Sequence, residues 1–138
     1  MQAYQKIIIL DVKRTGAKDI GDKERDAMTR ILYAFAKRNM EIGYCQGMNF
    51  VCHFLLEMEF SEEETFWLIC HVFEQVMPRN YYVNMIPAIA DIEIFKILLR
   101  ESRPKFHEHL TSLGVDLNFM LIPCFVTIFT NLKNFYVA

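Results

Sequence analysis

Apolar side chains return every three or four residues along almost the whole 138-residue chain, and that spacing leaves few architectures open. From Lys23 to Arg38, Met28, Ile31, Leu32 and Phe35 fall at i, i+3, i+4 and i+7, which is one face of a helix. Met48, Val51, Cys52, Leu55 and Leu56 repeat the pattern, as do Phe66, Ile69, Cys70 and Phe73. Ile92, Phe95, Leu98 and Leu99 do so between Asp91 and Arg100, and Phe106, Leu110 and Leu113 follow. The strict alternation of a half-buried strand is largely missing, so the fold class expected is all-α, an irregular array of helices. With short connections and no internal repeat, residues 1–138 read as one unit.

Punctuation residues place the ends of these helices. Residues 3 to 12 form a short apolar segment, and 13 to 22, with Gly16, Gly21 and mixed charges, read as a loop. Asn39 to Gly47 is a connection. Ser61-Glu62-Glu63-Glu64 has the form of a capping box, with Ser61 as N-cap and Glu64 at N3. Pro78 should end the helix it opens, Ser102 and Pro104 suit the start of another, and Gly114 suits a position just past a helix end. A last helix is predicted from Asn118 to about Thr130.

Composition narrows the function classes. Hydrophobic residues make up 53% and charged residues 23%, a mix that folds rather than stays disordered. The net charge is −2, the pI is about 6.1 and no basic stripe is present, which argues against a nucleic-acid partner. Cys45, Cys52, Cys70 and Cys124 include no CxxC pair, so reduced thiols fit better than a zinc site. His107 and His109 would point to different faces of a helix, and Cys45 has no evident base beside it. Phe66, Trp67 and Phe73 read as core. The window Phe119 to Phe129 is too short to span a bilayer and contains Pro123, so a buried helix is expected there. The opening Met1-Gln2-Ala3-Tyr4 lacks the basic-then-apolar form of a secretory leader.

Two stretches carry the polar residues of interest. They are Ile8-Ile9-Leu10-Asp11-Val12-Lys13-Arg14-Thr15 and Gly43-Tyr44-Cys45-Gln46-Gly47-Met48-Asn49. Taken singly they have ordinary readings: Arg14 as a solvated cation at a helix end, Asp11 as its surface partner, Gln46 as a turn residue. Taken together, Ile-x-x-Asp-x-x-Arg, a helix, and then Gly-Tyr-Cys-Gln-Gly-Met resemble the TBC domain of Rab GTPase-activating proteins. Glu62 to Trp67, Tyr81-Tyr82, Pro104 to Leu110 and Phe125 to Asn131 extend the likeness in the same order.

The resemblance implies an activator of GTP hydrolysis that supplies catalytic groups in trans rather than a free-standing enzyme. Arg14 would be an arginine finger and Gln46 a glutamine finger, with Asp11, Tyr44, Gly47 and Asn49 supporting them. The partner would be a Rab-family small GTPase in its GTP-bound state. GTP and Mg²⁺ would be held by that partner, with no cofactor on this chain. Membrane contact would be indirect, through the prenylated GTPase, placing the protein in the cytoplasm at endomembranes. The alternative is a catalytically silent module on the same scaffold that binds a GTPase or adaptor. Cys124 stands where the family often has Trp, and Thr15-Gly16 replaces a more usual Thr-aromatic-Pro. The family pattern also implies helices before Ile8 and after residue 138, so the domain reads as partial. On that expectation the apolar stretch Phe119 to Tyr136 lacks cover.

Overall fold

The structure, a computed structural model, describes residues 2–16, 20–78 and 80–135. Among them are seven α-helices: α1 (Gln2–Arg14), α2 (Asp22–Arg38), α3 (Met48–Glu57), α4 (Glu62–His71), α5 (Ile86–Ser102), α6 (Pro104–Ser112) and α7 (Leu117–Val126). A π-helical turn (Val72–Val76) continues α4, and a 3₁₀ segment (Thr130–Phe135) follows α7. The described residues contain no strand, as the missing alternation predicts.

Helix α2 is the axis of the N-terminal half. Its predicted stripe of Met28, Ile31, Leu32 and Phe35 is buried, joined by Ala27 and Ala36. Helices α1, α3 and α4 pack around it, contributing Ile8 and Val12, then Met48, Val51 and Cys52, then Ile69 and Cys70. Phe73 extends this core as a row of tilted and edge-on rings. Its centroid lies 5.7 Å from Phe35 and 4.8 Å from Tyr82, and Tyr82 lies 5.3 Å from Tyr81. Such ring pairs each add about 0.5–1.5 kcal/mol beyond the area they bury.

Several ends differ from the sequence-based expectation. The helix of the first segment runs past Asp11 to Arg14, which shortens the following loop; residues 17–19 of that loop lie outside the described residues. Helix α5 begins at Ile86, not near Asp91, with Pro87 in its first turn and Met85 before it at φ 61°. Ser102 closes α5 rather than capping α6, which starts at Pro104 after Arg103. Helix α7 starts at Leu117, one residue before the expected Asn118, and Asp116 caps it, its carboxylate accepting from the Asn118 N–H at 2.9 Å. That helix stops at Val126, four residues short of Thr130. The capping box at Ser61 and Glu64 is present as predicted, and Gly114 takes its left-handed turn after α6 at φ 67°.

The C-terminal half is thinly buried. In α5 only Ala88 and Ile92 are fully covered, in α7 only Val126, and in α6 none. Phe119 is 81% exposed, and Met120, Ile122 and Phe129 are exposed too. The window expected as a buried helix is therefore a surface one, as the expected lack of cover implied; Tyr136 lies outside the described residues. Trp67 also departs from the core reading, being 52% exposed under Arg38, whose Cζ sits 5.4 Å from the indole centroid. No single helix among the described residues is long and apolar enough to cross a membrane.

Candidate functional site

Arg14 is the last residue of α1, and its side chain is 71% exposed. Asp11, one turn earlier on the same face, is 3% exposed and takes Arg14 Nη2 on Oδ1 at 2.6 Å. Arg14 Nε also reaches the Leu10 carbonyl at 3.3 Å, so the guanidinium lies back along its own helix end. A helix C-terminus leaves carbonyls without intrahelical partners. Here Arg25 of α2 supplies them, its Nη1 donating to Lys13 O at 3.0 Å and Val12 O at 3.3 Å. The charge on Arg25 also suits the negative end of the helix dipole.

Gln46 sits in the turn before α3, exposed to solvent, between the partly buried Cys45 and the buried Gly47. Gly47 has φ 115°, a conformation that disfavours a side chain, and an added Cβ would lie 3.0 Å from the Val126 carbonyl oxygen. Both the turn and the close approach of α7 require glycine there. Cys45 directs its Sγ toward the Gln46 carbonyl at 3.5 Å, and its thiol pKa is pushed up, first by burial and then by Asp11. A thiol held protonated in this way is a poor nucleophile.

A closed ring of hydrogen bonds joins the two segments. Tyr44 donates its hydroxyl to Asp11 Oδ2 at 2.9 Å, with Asn49 Oδ1 at 3.3 Å as the longer arm of a shared contact. Asn49 Oδ1 accepts from the Gly47 N–H at 2.9 Å, and Asn49 Nδ2 donates to Thr15 Oγ1 at 2.6 Å. Thr15 Oγ1 donates in turn to the Asp11 carbonyl at 2.8 Å. Asp11, Thr15, Tyr44 and Asn49 are all buried. With Oδ1 facing the Gly47 N–H and Nδ2 facing the Thr15 hydroxyl, the hydrogen bonds assign the amide orientation of Asn49. Burial, and then Asp11, push the Tyr44 phenol pKa well above its ordinary range, so the ring keeps its proton.

The structure thus brings together Asp11, Arg14, Tyr44, Gly47 and Asn49, and carries Gln46 on the loop they brace. Thr15 and Arg25 join them without having stood out in the sequence. Thr15 next to Gly16 looks like a turn residue, and its partner Asn49 lies 34 positions away. Arg25 near a helix start looks solvated. His107 and His109 fall on α6, which packs against α5 instead.

Comparisons with known proteins bear on the family and the fold. A family model described as the Rab-GTPase-TBC domain matches residues 1–138. A TBC domain-containing protein from Schizosaccharomyces pombe is 36% identical over 129 residues, covering 90% of this chain and 17% of that protein. Human TBC1 domain family member 30 is 33% identical, over 77% of this chain and 12% of its own length. The chain therefore spans a small part of the curated relatives it matches. Among solved structures, the crystal structure of the Chlamydomonas flagellar RabGAP TBC domain superposes with a TM-score of 0.79 at 22% identity. It covers 93% of this chain and 43% of that one, a likeness of fold.

Proposed function

The chain belongs to the Rab-GTPase-TBC domain family, and from that premise we propose that it accelerates GTP hydrolysis on a Rab-family GTPase with Arg14 and Gln46 as paired fingers. The observation carrying this reading is the ring Asp11–Tyr44–Asn49–Thr15, which ties the end of α1 to the Gln46 loop while both Arg14 and Gln46 point to solvent. Two polar side chains left exposed on so heavily braced a backbone are positioned to meet something outside the chain.

Hydrolysis at a γ-phosphate needs charge stabilisation on the transferred group and a placed water. Arg14 offers a planar, always-charged fork that can bridge two phosphate oxygens. Leaving the Asp11 carboxylate and the Leu10 carbonyl for the phosphate would keep its charge paired throughout. Gln46 offers an amide that can accept from water and donate to a phosphate oxygen. GTP and Mg²⁺ are held by the partner in its GTP-bound state, and this chain adds no cofactor. A prenylated partner would bring the reaction to the cytoplasmic face of endomembranes.

Single-turnover hydrolysis on a panel of GTP-loaded Rab proteins tests this. Arg14→Ala should lower acceleration by about 10³-fold or more, and Gln46→Ala should also lower it strongly, with the fold of both variants intact because both side chains are exposed. Acceleration that survives either substitution contradicts the assignment. Binding of a Rab by wild type without acceleration would instead identify a silent binding module.

A further inference from the structure

A recess of about 350 Å³ opens between the α2–α3 connection, the π-helical turn after α4 and residues 78–83. That volume falls among those of sites for small organic groups, roughly 300–1,000 Å³. The buried rings of Phe73, Tyr81 and Tyr82 contribute to its lining. Polar groups come to it from Glu41, Glu74, Gln75 and Asn80. Glu74 is the most enclosed of these acids, its side chain 14% exposed. Arg38 Nε at 3.4 Å and Asn39 Nδ2 at 3.3 Å both meet its Oε1, which leaves Oε2 available. Arg38 itself stacks over Trp67 and does not line the recess. Glu41, Gln75 and Asn80 have no side-chain partner among the described residues. The described lining therefore holds two carboxylates and two unengaged amides, with no lysine or arginine.

The backbone on two sides of the recess is unusual as well. The turn Val72–Val76 closes with the Met77 N–H donating to the Val72 carbonyl at 2.9 Å, a π-helical geometry that is rare and recurs at functional sites. Across the opening, Asn80 holds φ 66°, a left-handed conformation that costs energy in any residue but glycine.

We propose that this recess binds an organic cation, an ammonium or guanidinium group on a short aliphatic stem. The carboxylates attract the charge, the aromatic lining favours a cation over its ring faces, and the amide oxygens of Gln75 and Asn80 accept its remaining N–H groups. An anion would meet like charge, and a neutral alkyl group would strip water from the carboxylates without replacing it. A metal ion is a poor fit, because no group of three or more His, Cys, Asp or Glu side chains among the described residues could hold one. The inference stands apart from Arg14 and Gln46, neither of which lines the recess.

The test is a titration of the ¹⁵N-labelled chain, followed by amide shifts, with agmatine, with a blocked tripeptide carrying a central arginine, and with n-butanol as the uncharged control. Agmatine or the tripeptide should shift the Gln75 and Asn80 amides saturably, with a Kd of about 1 mM or tighter, and n-butanol should not. Saturation by agmatine alone points to a free cation as the natural ligand, and by the tripeptide alone to a basic side chain of another protein. Glu74→Gln should weaken binding about tenfold. Glu41→Gln, at an exposed position, should weaken it about threefold and carries the test if Glu74→Gln unfolds through loss of its contacts to Arg38 and Asn39. Glu63→Gln, outside the recess, should leave affinity unchanged. The proposal is overturned if neither cation gives saturable shifts at these amides, if n-butanol gives the same shifts, or if the Glu41 and Glu74 variants bind as wild type does. It is also overturned if binding appears only in Arg79→Ala, which would make the chain's own arginine, outside the described residues, the occupant. None of these outcomes depends on whether the chain accelerates GTP hydrolysis.

Discussion

Thr15 gives its hydroxyl proton to the Asp11 carbonyl and accepts from Asn49, so one small side chain holds α1 to the start of α3. Thr15→Val keeps the shape and strands the Asn49 amide in a buried place. It should cost about 1–3 kcal/mol in urea unfolding and lower the limiting hydrolysis rate more than Rab affinity. Tyr44→Phe strips Asp11 of its buried donor and should cost a similar about 1–3 kcal/mol. The same tyrosine carries a pH signature. Its folded pKa lies above the unfolded value of about 10, so its contribution is complete below that pH and is lost as pH rises beyond it. Urea midpoints measured from pH 8 to 11 should therefore fall on the alkaline side, and fall less in Tyr44→Phe. The Asp11–Arg14 pairing was readable from a three-residue spacing on one helix. The ring was not, because Tyr44, Asn49 and Thr15 meet only after α1 and α3 pack, and neither local spacing nor composition encodes that meeting.

Helix α4 shows how a local signal and a tertiary one can diverge. Ser61 and Glu64 form the capping box that their spacing announces, and the hydrogen bonds from Ser61 hold the Glu64 carboxyl below its usual range. A depressed carboxylate supports folding above its unfolded pKa and loses that support as pH falls through the folded one. Ser61→Ala should cost about 1 kcal/mol by thermal melting at neutral pH, with the deficit shrinking toward acid. One turn on, Thr65 is fully buried, and its Oγ1 has no hydrogen-bond partner among the described residues. Thr65→Val removes that burden at nearly constant volume and should leave stability unchanged or raise it by up to about 1 kcal/mol. An aromatic-rich stretch suggests a core position for Trp67, but neighbours on a helix point about 100° apart, and the buried side chains here are Thr65, Ile69, Cys70 and Phe73. The start of α5 is hidden in the sequence for a related reason. Where every residue is apolar, as from Ile86 to Ala90, periodicity marks no boundary, and Met85 before α5 is not a residue that announces a cap.

Across the molecule, burial is uneven. The N-terminal half closes a core around α2, while α5, α6 and α7 leave Ile94, Leu98, Phe106 and Phe119 in water. Amides of α2 and α4 should accordingly exchange most slowly with deuterium and those of α6 fastest, a gradient that protection factors would reveal; equal protection throughout would contradict it. The all-α class was plain from the spacing of apolar residues, but which helices would find cover depends on pairings that spacing does not specify. The two halves approach tightly where the Val126 main chain sits against Gly47 with less than a methyl group's clearance, and the Tyr82 hydroxyl holds the same carbonyl at 3.3 Å. A wedge there would act at a distance. Any shift of α7, whether from a repacked core or from a protein leaning on its outer surface, presses on the backbone beside Gln46. Helix α7, late in the chain, thus bears on the backbone that carries an amide near its middle.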